Sequence, residues 1–500
     1  MAIVSPHRIP VIVGVADVID RPDHLAHARE PAALMADALL AALQDAGPLS
    51  PAAVDSLDIV AEHSWPYAEP CDVLAARMTH KPKRCVYGKA GGESPVRFIH
   101  EAALRIVAGE STVAAIVGAE AQYSVAAAAK ESFELPWSPR DPKATVLRGK
   151  DLCHPIAIRH GMTQPVHVYP LYENAATAAW GQTPAQALRE SAQLWSDFSA
   201  VAAANPSAWL RQHYTAEQLA TPSRDNRPVA WPYTKHMVAN PFVNQGAAVV
   251  LTSLAKAREL GISEDRYAYI HAGAHAVEPR DYLQRDQYQR SYAQEAVLET
   301  MRDAAGSTGR FDSMELYSCF PIVPKMARRV LELPIDAQLT SIGGMSFFGA
   351  PLNNYMTHAA AGLVRRIRNR REALALLYGQ GEFVTKHHAL LLSAAPSRSE
   401  LSSGDVQALA DRKRGPIPEL TDAYSGPAAL ETFTVVHGRG EAPEFGAVIA
   451  RTPDQRRLMA RVAASNTTTL QVLTDLSATP VGQIGQVSRG LDNLLHWTVA

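Results

Sequence analysis

The chain has 500 residues, of which 47% are apolar and 20% are charged, and this composition is typical of a globular protein with a large buried core. Its 48 Lys and Arg residues nearly balance 50 Asp and Glu residues, which argues against a nucleic acid or an anionic membrane as partner. No apolar run approaches the roughly 20 residues of a membrane span, and residues 1–10 lack the features of a secretory signal. We therefore expect a cytoplasmic protein that acts on a small molecule.

The chain has only four cysteines, and none of them forms a CxxC pair. This pattern predicts reduced thiols, with neither a disulfide framework nor a structural metal site. The four are Cys71, Cys85, Cys153 and Cys319.

Two stretches of the chain repeat the same order of predicted elements. In the first, a buried strand at 8–18 precedes a helix rich in Ala and Leu at 31–45 and a short strand at 55–60. In the second, a helix at 293–305 precedes a strand at 312–317. Strands that alternate with helices of this length indicate crossover units in parallel or mixed sheets, so the repeat predicts two similar α/β halves.

A second repeat supports the same conclusion. A Gly-Gly pair precedes a helix and then a strand in each half, at 91–92 and at 343–344. The helices are predicted at 95–108 and 353–368, and the strands at 112–119 and 373–378.

Three further regions stand outside the repeats. The segment 122–239 is rich in Pro, Trp, Tyr and His, and we interpret it as an insertion that shapes a pocket. The segment 393–418 combines Ser, Gly, Pro and charges and is interpreted as a linker. From 431 onward the sequence predicts a small separate β domain, on the basis of β-rich runs at 432–436, 447–450, 467–473 and 482–487.

One stretch, at 240–253, is similar to the segment that ends the loop domain of thiolases. It reads Asn-Pro-Phe-Val-Asn-Gln-Gly-Ala-Ala-Val-Val-Leu-Thr-Ser, with Gln245 where that family has an Asp. The Val-Gly-Ala-Glu at 117–120 likewise resembles the Gly-Ala-Glu that ends a thiolase core strand. The chain therefore resembles the thiolase superfamily, over about residues 6–395.

Within that superfamily the chain looks like the thiolase-like protein type 1 group. The resemblance rests on the motifs at 343–344, 353–358 and 385–387 and on an additional C-terminal domain. It implies an α/β thiolase fold with two duplicated βαβαβαββ halves in five αβαβα layers, an inserted loop domain and a small OB-like β barrel. The implied domains are a first half at 1–121 and 240–262, a loop domain at 122–239, a second half at 263–396 and the additional domain at 415–500.

The nucleophile of the family is missing from this chain. Thiolases attack an acyl-CoA with a cysteine at a helix N-terminus, where the helix dipole favours the thiolate. The resemblance places Gly92 in the cysteine position and Ser94 in the position of the motif serine. Because Pro95 follows it, Ser94 is expected to cap the helix, and a nucleophilic serine is the alternative.

The other three catalytic elements are also changed. Tyr317, Ser318 and Cys319 align with the family motif that holds a catalytic water, and Cys319 is either a reactive thiol or an inert core residue. Ala350, after Gly349, replaces the histidine that donates to the thioester oxygen. Backbone amides near the pair at 343–344 remain candidates for binding an anion or a carbonyl oxygen. The acid/base cysteine is absent from 377–381.

Tyrosines and histidines near these motifs offer another chemistry. A tyrosine hydroxyl can act as acid or base, as the resemblance to thiolase-fold retro-aldolases also implies, although such rings more often pack in the core. His387 is a candidate base, but His358, His387 and His388 are alternatively structural. The catalytic candidates are Tyr317, Ser318, Cys319, Tyr355, Tyr378 and His387, and the substrate-binding candidates are Gly92, Ser94, Gly343, Gly344, Gly349 and Ala350.

One dense basic cluster offers a site for the phosphates of CoA. The alternative is a solvated helix end that complements the helix dipole. The cluster consists of Arg365, Arg366, Arg368, Arg370 and Arg371.

The resemblance implies an acyl-CoA-binding protein of lipid metabolism, of the acetyl-CoA acetyltransferase type within the acyltransferases, in which standard thiolysis through a cysteine is not expected. Coenzyme A or its thioester is the expected ligand or substrate, with no other cofactor and no metal. One alternative is a retro-aldolase-type carbon–carbon lyase acting on acyl-CoA thioesters. Another is a non-catalytic scaffold whose C-terminal domain binds a protein partner, and a homodimer also stays open. Neither a membrane nor a nucleic acid is an expected partner.

Overall fold

A computed structural model describes residues 4–47, 49–306, 309–369, 374–397, 399–439 and 442–499. The strands are β1 Pro10–Ile19, β2 Ser56–Ile59, β3 Arg84–Tyr87, β4 Val113–Ala121, β5 Pro228–Ala230, β6 Tyr233–Thr234, β7 Asn244–Ser253, β8 Ala268–Val277, β9 Ser313–Leu316, β10 Leu374–Gly381, β11 Lys386–Ser393, β12 Gly426–His437, β13 Pro443–Arg451, β14 Arg457–Ala463, β15 Ile484–Arg489 and β16 Leu495–Val499. The helices are α1 Pro31–Ala46, α2 Pro70–Met78, α3 Ser94–Ala108, α4 Gln122–Glu131, α5 Pro155–Arg159, α6 Pro165–Ala179, α7 Pro184–Ala204, α8 Ala216–Ala220, α9 Leu254–Glu259, α10 Tyr292–Ala304, α11 Ile322–Val330, α12 Tyr355–Arg368, α13 Gln407–Lys413 and α14 Thr467–Leu473.

Nine strands form one mixed sheet in the order β3-β2-β4-β7-β1-β8-β11-β10-β9. The first five strands of this order belong to the first half of the core and the last four to the second. β2 runs parallel to β3 and β4, and β9 runs parallel to β10, whereas the remaining pairs are antiparallel. The predicted mixed α/β core is therefore confirmed.

Helices cover both faces of this sheet. α3 and α12 contact each other and strands of both halves, so they lie between the halves. α1 packs on β1, β4 and β7, and α10 packs on β8 and β11. Along β1, Val11 and Val13 join the core beside α1, whereas Ile12 joins the core beside α3, as alternating side chains of a strand must. Each fully buried side chain of this size contributes roughly 1.5–3 kcal/mol.

A closed five-stranded barrel forms the C-terminal region, as predicted. Its strands follow the order β12-β13-β14-β16-β15, and β12 pairs with both β13 and β15. The run at 467–473, which the sequence indicates as β-rich, is instead the helix α14. The Asn466 side chain caps it by accepting from the Thr469 N–H, and Leu470 and Leu473 pack into the barrel core.

The inserted segment contains α4 to α8. It packs against the second half of the core and against the C-terminal barrel. α7 packs against a π-helical turn at Gly344–Phe348, and α6 packs against β12. A buried ion pair joins Lys325 of α11 to Glu173 of α6, and the Tyr233 hydroxyl donates to Glu173 at 2.7 Å. The insertion is therefore locked onto the second half of the core.

The segment interpreted as a linker is partly ordered against the core. His275 of β8 exchanges backbone hydrogen bonds with this segment, through Gly404 at 2.8 Å and Val406 at 3.1 Å. α13 then packs on α10. Part of the segment interpreted as a linker is therefore fixed against β8 and α10.

The prediction that all four thiols are reduced is wrong for one pair. Cys71 of α2 and Cys85 of β3 form a disulfide, with their Cα atoms 6.0 Å apart. The two cysteines are 14 residues apart in sequence, so no local pattern predicts their contact. It arises because β3 returns beside α2. Cys153 and Cys319 are free thiols. No helix in the described ranges has both the length and the apolarity to cross a membrane.

Candidate functional site

A cavity of about 340 Å³ lies where the start of α3, the end of β9 and the inserted segment meet. We call it the central cavity. Four of the predicted site residues line it, from distant parts of the chain: Gly92, Tyr317, Cys319 and Ala350. The insertion adds apolar walls that no sequence motif marks, among them Leu152, Val166 and Tyr169.

Gly92 occupies a position where no side chain fits. A Cβ atom built on Gly92 would lie 2.1 Å from the Tyr317 hydroxyl oxygen and 2.4 Å from the backbone oxygen of Gln380. Real Cβ atoms essentially never show contacts under 3.0 Å. The phenol of Tyr317 therefore fills the space that a cysteine side chain would need.

The Tyr317 side chain brings a hydroxyl group to the wall of the central cavity. It has no hydrogen-bond partner among the described residues, and its ring stands edge-on to Tyr355 with the centroids 6.3 Å apart. Burial raises the pKa of Tyr317 well above its ordinary value, so the phenol is protonated at neutral pH. It can therefore donate a hydrogen bond to a ligand oxygen.

Cys319 lines the same cavity but is a weak nucleophile. Its Sγ lies 3.8 Å from Oε1 of Gln380, and burial raises its pKa to about 12. The reactive form of cysteine is the thiolate, which this environment disfavours. Tyr169, stacked on Phe320 at 4.4 Å, closes the cavity beside the thiol.

Ala350 lines the central cavity with a methyl group, and its backbone N–H already donates to Asn240 O at 2.9 Å. Neither group offers the donor that the family histidine supplies. The preceding Gly349 lies outside the cavity wall, against the Gln245 side chain.

The pair Gly343 and Gly344 lies behind the cavity wall and does not line it. Gly343 has a φ of 115°, and a Cβ there would lie 2.5 Å from the Cβ of Ala202 in α7. A Cβ on Gly344 would lie 2.4 Å from a ring carbon of Phe198. These glycines permit the close approach of α7.

Ser94 is the first residue of α3 and does not cap it. Its hydroxyl donates to Lys89 O at 2.9 Å, which ties the loop before the helix to the first turn. Glu93 occupies the cap position without a side-chain cap hydrogen bond. The predicted capping role therefore fails, because the hydroxyl points back to the preceding loop.

Tyr355 and Ser318 support the wall from behind. The Tyr355 hydroxyl donates to Glu315 at 2.6 Å, and Glu315 also accepts from the Ser341 N–H at 2.7 Å. The Ser318 hydroxyl accepts from the Met345 N–H at 3.3 Å. Burial raises the pKa of Glu315 to about 7 despite these hydrogen bonds.

Tyr378 of β10 and His387 of β11 do not line the central cavity. The Tyr378 hydroxyl is 2.7 Å from Nδ1 of His387 and accepts from Gln294 of α10 at 2.9 Å. Burial lowers the pKa of His387 to about 4, so the ring is neutral. Burial lowers the pKa of His358 to about 4 as well, and that of His388 well below its ordinary value.

The described arginines of the predicted cluster bind carboxylates and a backbone oxygen of the core. Arg365 pairs with Asp17 at 2.6 Å, and Arg368 pairs with Asp45 at 2.7 Å. The Arg366 side chain donates to the Ser341 backbone oxygen. Arg370 and Arg371 lie outside the described residues.

Unpaired cations lie instead at the cavities. Arg148 lines the central cavity and is exposed, and Lys89 lines an adjacent one. Neither forms an ion pair within the described ranges. No group of three or more His, Cys, Asp or Glu side chains in those ranges is arranged to hold a metal ion.

The adjacent cavity has a volume of about 640 Å³, and we call it the polar cavity. It shares His63, Ala90, Leu147 and Asn353 with the wall of the central cavity. Asn353 holds the shared wall in place, because its Oδ1 accepts from the Gly91 N–H at 3.0 Å and its Nδ2 donates to Ala61 O at 2.8 Å.

Comparison with known proteins finds a family match in the C-terminal region and similar solved structures. Residues 405–490 match the family model described as the thiolase-like protein type 1 additional C-terminal domain. No curated protein is significantly similar in sequence. A monomeric SCP2-thiolase like protein type 1 from Mycobacterium smegmatis is similar over 99% of this chain and 100% of its own, with 27% identity and a TM-score of 0.82.

Two further solved structures share the fold at lower identity. The Ltp2-ChsH2(DUF35) aldolase is 17% identical, with a TM-score of 0.59 over 78% of this chain and 99% of its own. Human mitochondrial 3-ketoacyl-CoA thiolase is 16% identical, with a TM-score of 0.56 over 78% of this chain and 100% of its own.

Proposed function

We propose that this chain, which is a thiolase-like protein of type 1 with the additional C-terminal domain, binds a coenzyme A thioester in the central cavity without forming an acyl-cysteine. The observation that carries the proposal is the contact between Gly92 and the Tyr317 hydroxyl. Glycine at position 92 leaves no nucleophile there, and the Tyr317 hydroxyl takes the space as a hydrogen-bond donor. This donor lies beside a cavity large enough for a ligand.

The walls of the central cavity suit such a ligand. Leu152, Val166 and Phe383 offer apolar surface to a pantetheine arm or a short acyl group. Arg148 at the rim is free to meet a phosphate, and guanidinium groups bind phosphate through paired hydrogen bonds. The whole chain has a formal net charge of −2, so this unpaired cation does not reflect a generally basic protein.

Calorimetric titration with coenzyme A and with acetyl-CoA tests the binding. We expect Arg148→Ala to weaken both ligands roughly threefold to tenfold, with a smaller difference at high salt. Arg224→Ala is the matched control, because Arg224 is an exposed arginine that lines neither cavity. No affinity for either ligand at millimolar concentration would remove the proposal.

A second candidate function is carbon–carbon cleavage of a β-hydroxyacyl-CoA, and the unpartnered Tyr317 hydroxyl favours it. Because burial keeps this phenol protonated, it suits donation to a thioester oxygen as negative charge develops there better than it suits a general base. Incubation with a β-hydroxyacyl-CoA should then release cleavage products that Tyr317→Phe abolishes. Unchanged product yield in Tyr317→Phe would exclude this role for the hydroxyl.

The partner-binding role of the C-terminal domain, the homodimer and the cytoplasmic location stay predictions. The barrel is docked on the insertion, because the Asn174 side chain donates to Phe433 O at 2.8 Å and β5 pairs with β12. Deleting the barrel would therefore expose the insertion. A surface variant such as Ile484→Asp, at a side chain that is 61% exposed, is the cleaner probe for partner pull-down.

A further inference from the structure

The polar cavity differs in chemistry from the central cavity beside it. Glu62, Tyr87 and Lys89 line the polar cavity, whereas the central cavity has mainly apolar walls. Ala90 borders both cavities and lies two residues before Gly92 in the chain. The two cavities therefore adjoin at Ala90, beside the Gly92 position.

One polar group in the wall of the polar cavity lacks a partner. Glu62 is only 5% exposed as a residue, and its Oε1 accepts from the Tyr67 N–H at 3.1 Å. Its Oε2 has no hydrogen-bond partner within the described part of the chain. A buried polar atom left unsatisfied costs about 1–3 kcal/mol, so a ligand group that met it would bind more tightly.

The backbone beneath Glu62 is held in place. Both carboxyl oxygens of Glu120 accept backbone N–H groups, from His63 and from Ser64, each at 2.8 Å. The Tyr87 hydroxyl donates to the backbone oxygen of Glu62 at 3.2 Å. The segment that carries Glu62 in the cavity wall is therefore fixed, which lowers the entropic cost of binding.

The charges around the polar cavity are balanced. Arg280 and Lys386 both pair with Glu382, at 3.0 and 2.9 Å. The unpaired Lys89 lies in a wall that also contains the acidic Glu69 and Asp141. A net anion or cation gains little from such a wall, whereas an uncharged group that donates and accepts hydrogen bonds fits it.

We infer that the polar cavity binds a hydroxyl group on the distal part of the acyl chain, with Glu62 as its hydrogen-bond partner. This inference rests on the proposed function, since the thioester end of the same ligand occupies the central cavity. Glu62 thereby becomes a specificity-determining residue that selects hydroxylated over plain acyl groups.

The test compares ω-hydroxyacyl-CoA with the plain acyl-CoA of the same length by calorimetry, over butyryl, hexanoyl and octanoyl chains. We expect the hydroxylated member to bind roughly threefold to tenfold more tightly at the length that reaches Glu62. Glu62→Gln should keep this preference, because an amide still hydrogen-bonds the hydroxyl and accepts from Tyr67. Glu62→Leu should reduce the ratio of the two affinities, hydroxylated over plain, to about one while leaving the affinity for coenzyme A unchanged.

A second variant keeps the test informative if Glu62→Leu does not fold. Thr145→Trp adds bulk at an exposed position of the polar cavity and leaves Glu62 intact. It should remove the preference for the hydroxylated chain and leave acetyl-CoA binding unchanged. Equal affinity for both members at every length, or a preference that survives both Glu62→Leu and Thr145→Trp, overturns this inference alone. Absence of binding by coenzyme A and by every thioester overturns the proposed function as well.

Discussion

The two glycine pairs, Gly91–Gly92 and Gly343–Gly344, occupy matching places in the two halves, yet they have different surroundings. The first pair lies at the central cavity, where the Tyr317 phenol approaches Gly92. The second pair lies behind the cavity wall, where α7 of the insertion approaches both glycines. Each glycine pair therefore marks a close approach, and the segment that approaches decides whether the position lines the cavity or serves packing.

A buried carboxyl group accompanies each pair, and the two are treated differently. Glu315 lies beneath the second pair and accepts hydrogen bonds from Tyr355 and from the Ser341 N–H. Glu93 lies beside the first pair, and its Oε2 has no partner within the described ranges. Burial raises the pKa of both groups. The carboxyl group at the second pair is satisfied by hydrogen bonds, whereas one carboxyl oxygen at the first pair has no partner in the described ranges.

The largest expected effect is the loss of stability when the second glycine pair is substituted. Gly343→Val should lower the free energy of unfolding by about 2–5 kcal/mol, because it combines a clash with Ala202 and a left-handed backbone conformation. Urea denaturation measures it. Gly47→Val is the control, since Gly47 has a φ of 109° but no atom within 4 Å of an added Cβ. An equal loss in both variants would show that α7 does not press on Gly343.

A pH effect should follow from Glu315 under the same pair. Its pKa of about 7 lies above the ordinary value of 4.5, so the folded state binds the proton more tightly. The stability it contributes is complete below about pH 4.5 and is lost as the pH rises through 7, by up to about 3 kcal/mol. Glu315→Gln should flatten this part of the stability profile. A profile that the substitution does not change would contradict the assignment.

A smaller effect is expected at the first pair. Gly92→Ala should cost about 1–3 kcal/mol, because the methyl group meets the Tyr317 hydroxyl. Removing the ring with Tyr317→Ala should relieve part of this cost, so the two substitutions couple in a double-mutant cycle. The relief is incomplete, since the backbone oxygen of Gln380 also lies within 2.4 Å of the added Cβ. Strict additivity would show that the phenol does not occupy the space at Gly92.

The smallest effect concerns Ser94. Ser94→Ala should lower stability by only about 1 kcal/mol, the value of one lost hydrogen bond to Lys89 O. It should leave the affinity for coenzyme A unchanged, because Ser94 does not line the central cavity. A large loss of affinity without a loss of stability would reinstate Ser94 as a binding residue.

Much of the fold was predictable because its signals are local. Apolar periodicity located α1 and α10, and the motif resemblance placed Gly92, Tyr317 and Ala350 in one cavity. The sequence does not show which side chains near a motif reach the cavity. Tyr378 and His387 are candidates from the motif resemblance, but they contact each other, and Tyr378 contacts Gln294 of α10.

Other features depend on contacts between segments remote in sequence. The sequence predicts that the insertion shapes a pocket. No local pattern marks Tyr169 as the residue that stacks on Phe320, next to Cys319. The disulfide between Cys71 and Cys85 likewise follows from the path of β3. The threonine run in α14 favours a strand by propensity, and packing of Leu470 into the barrel overrides it.

The most direct test of the account is a crystal structure of the protein grown with acetyl-CoA. We predict an intact thioester in the central cavity, with its carbonyl oxygen within hydrogen-bond distance of the Tyr317 hydroxyl and no bond to sulfur. An acetyl group attached to Cys319, or a ligand bound only outside the cavity beside Gly92, would contradict the central claim.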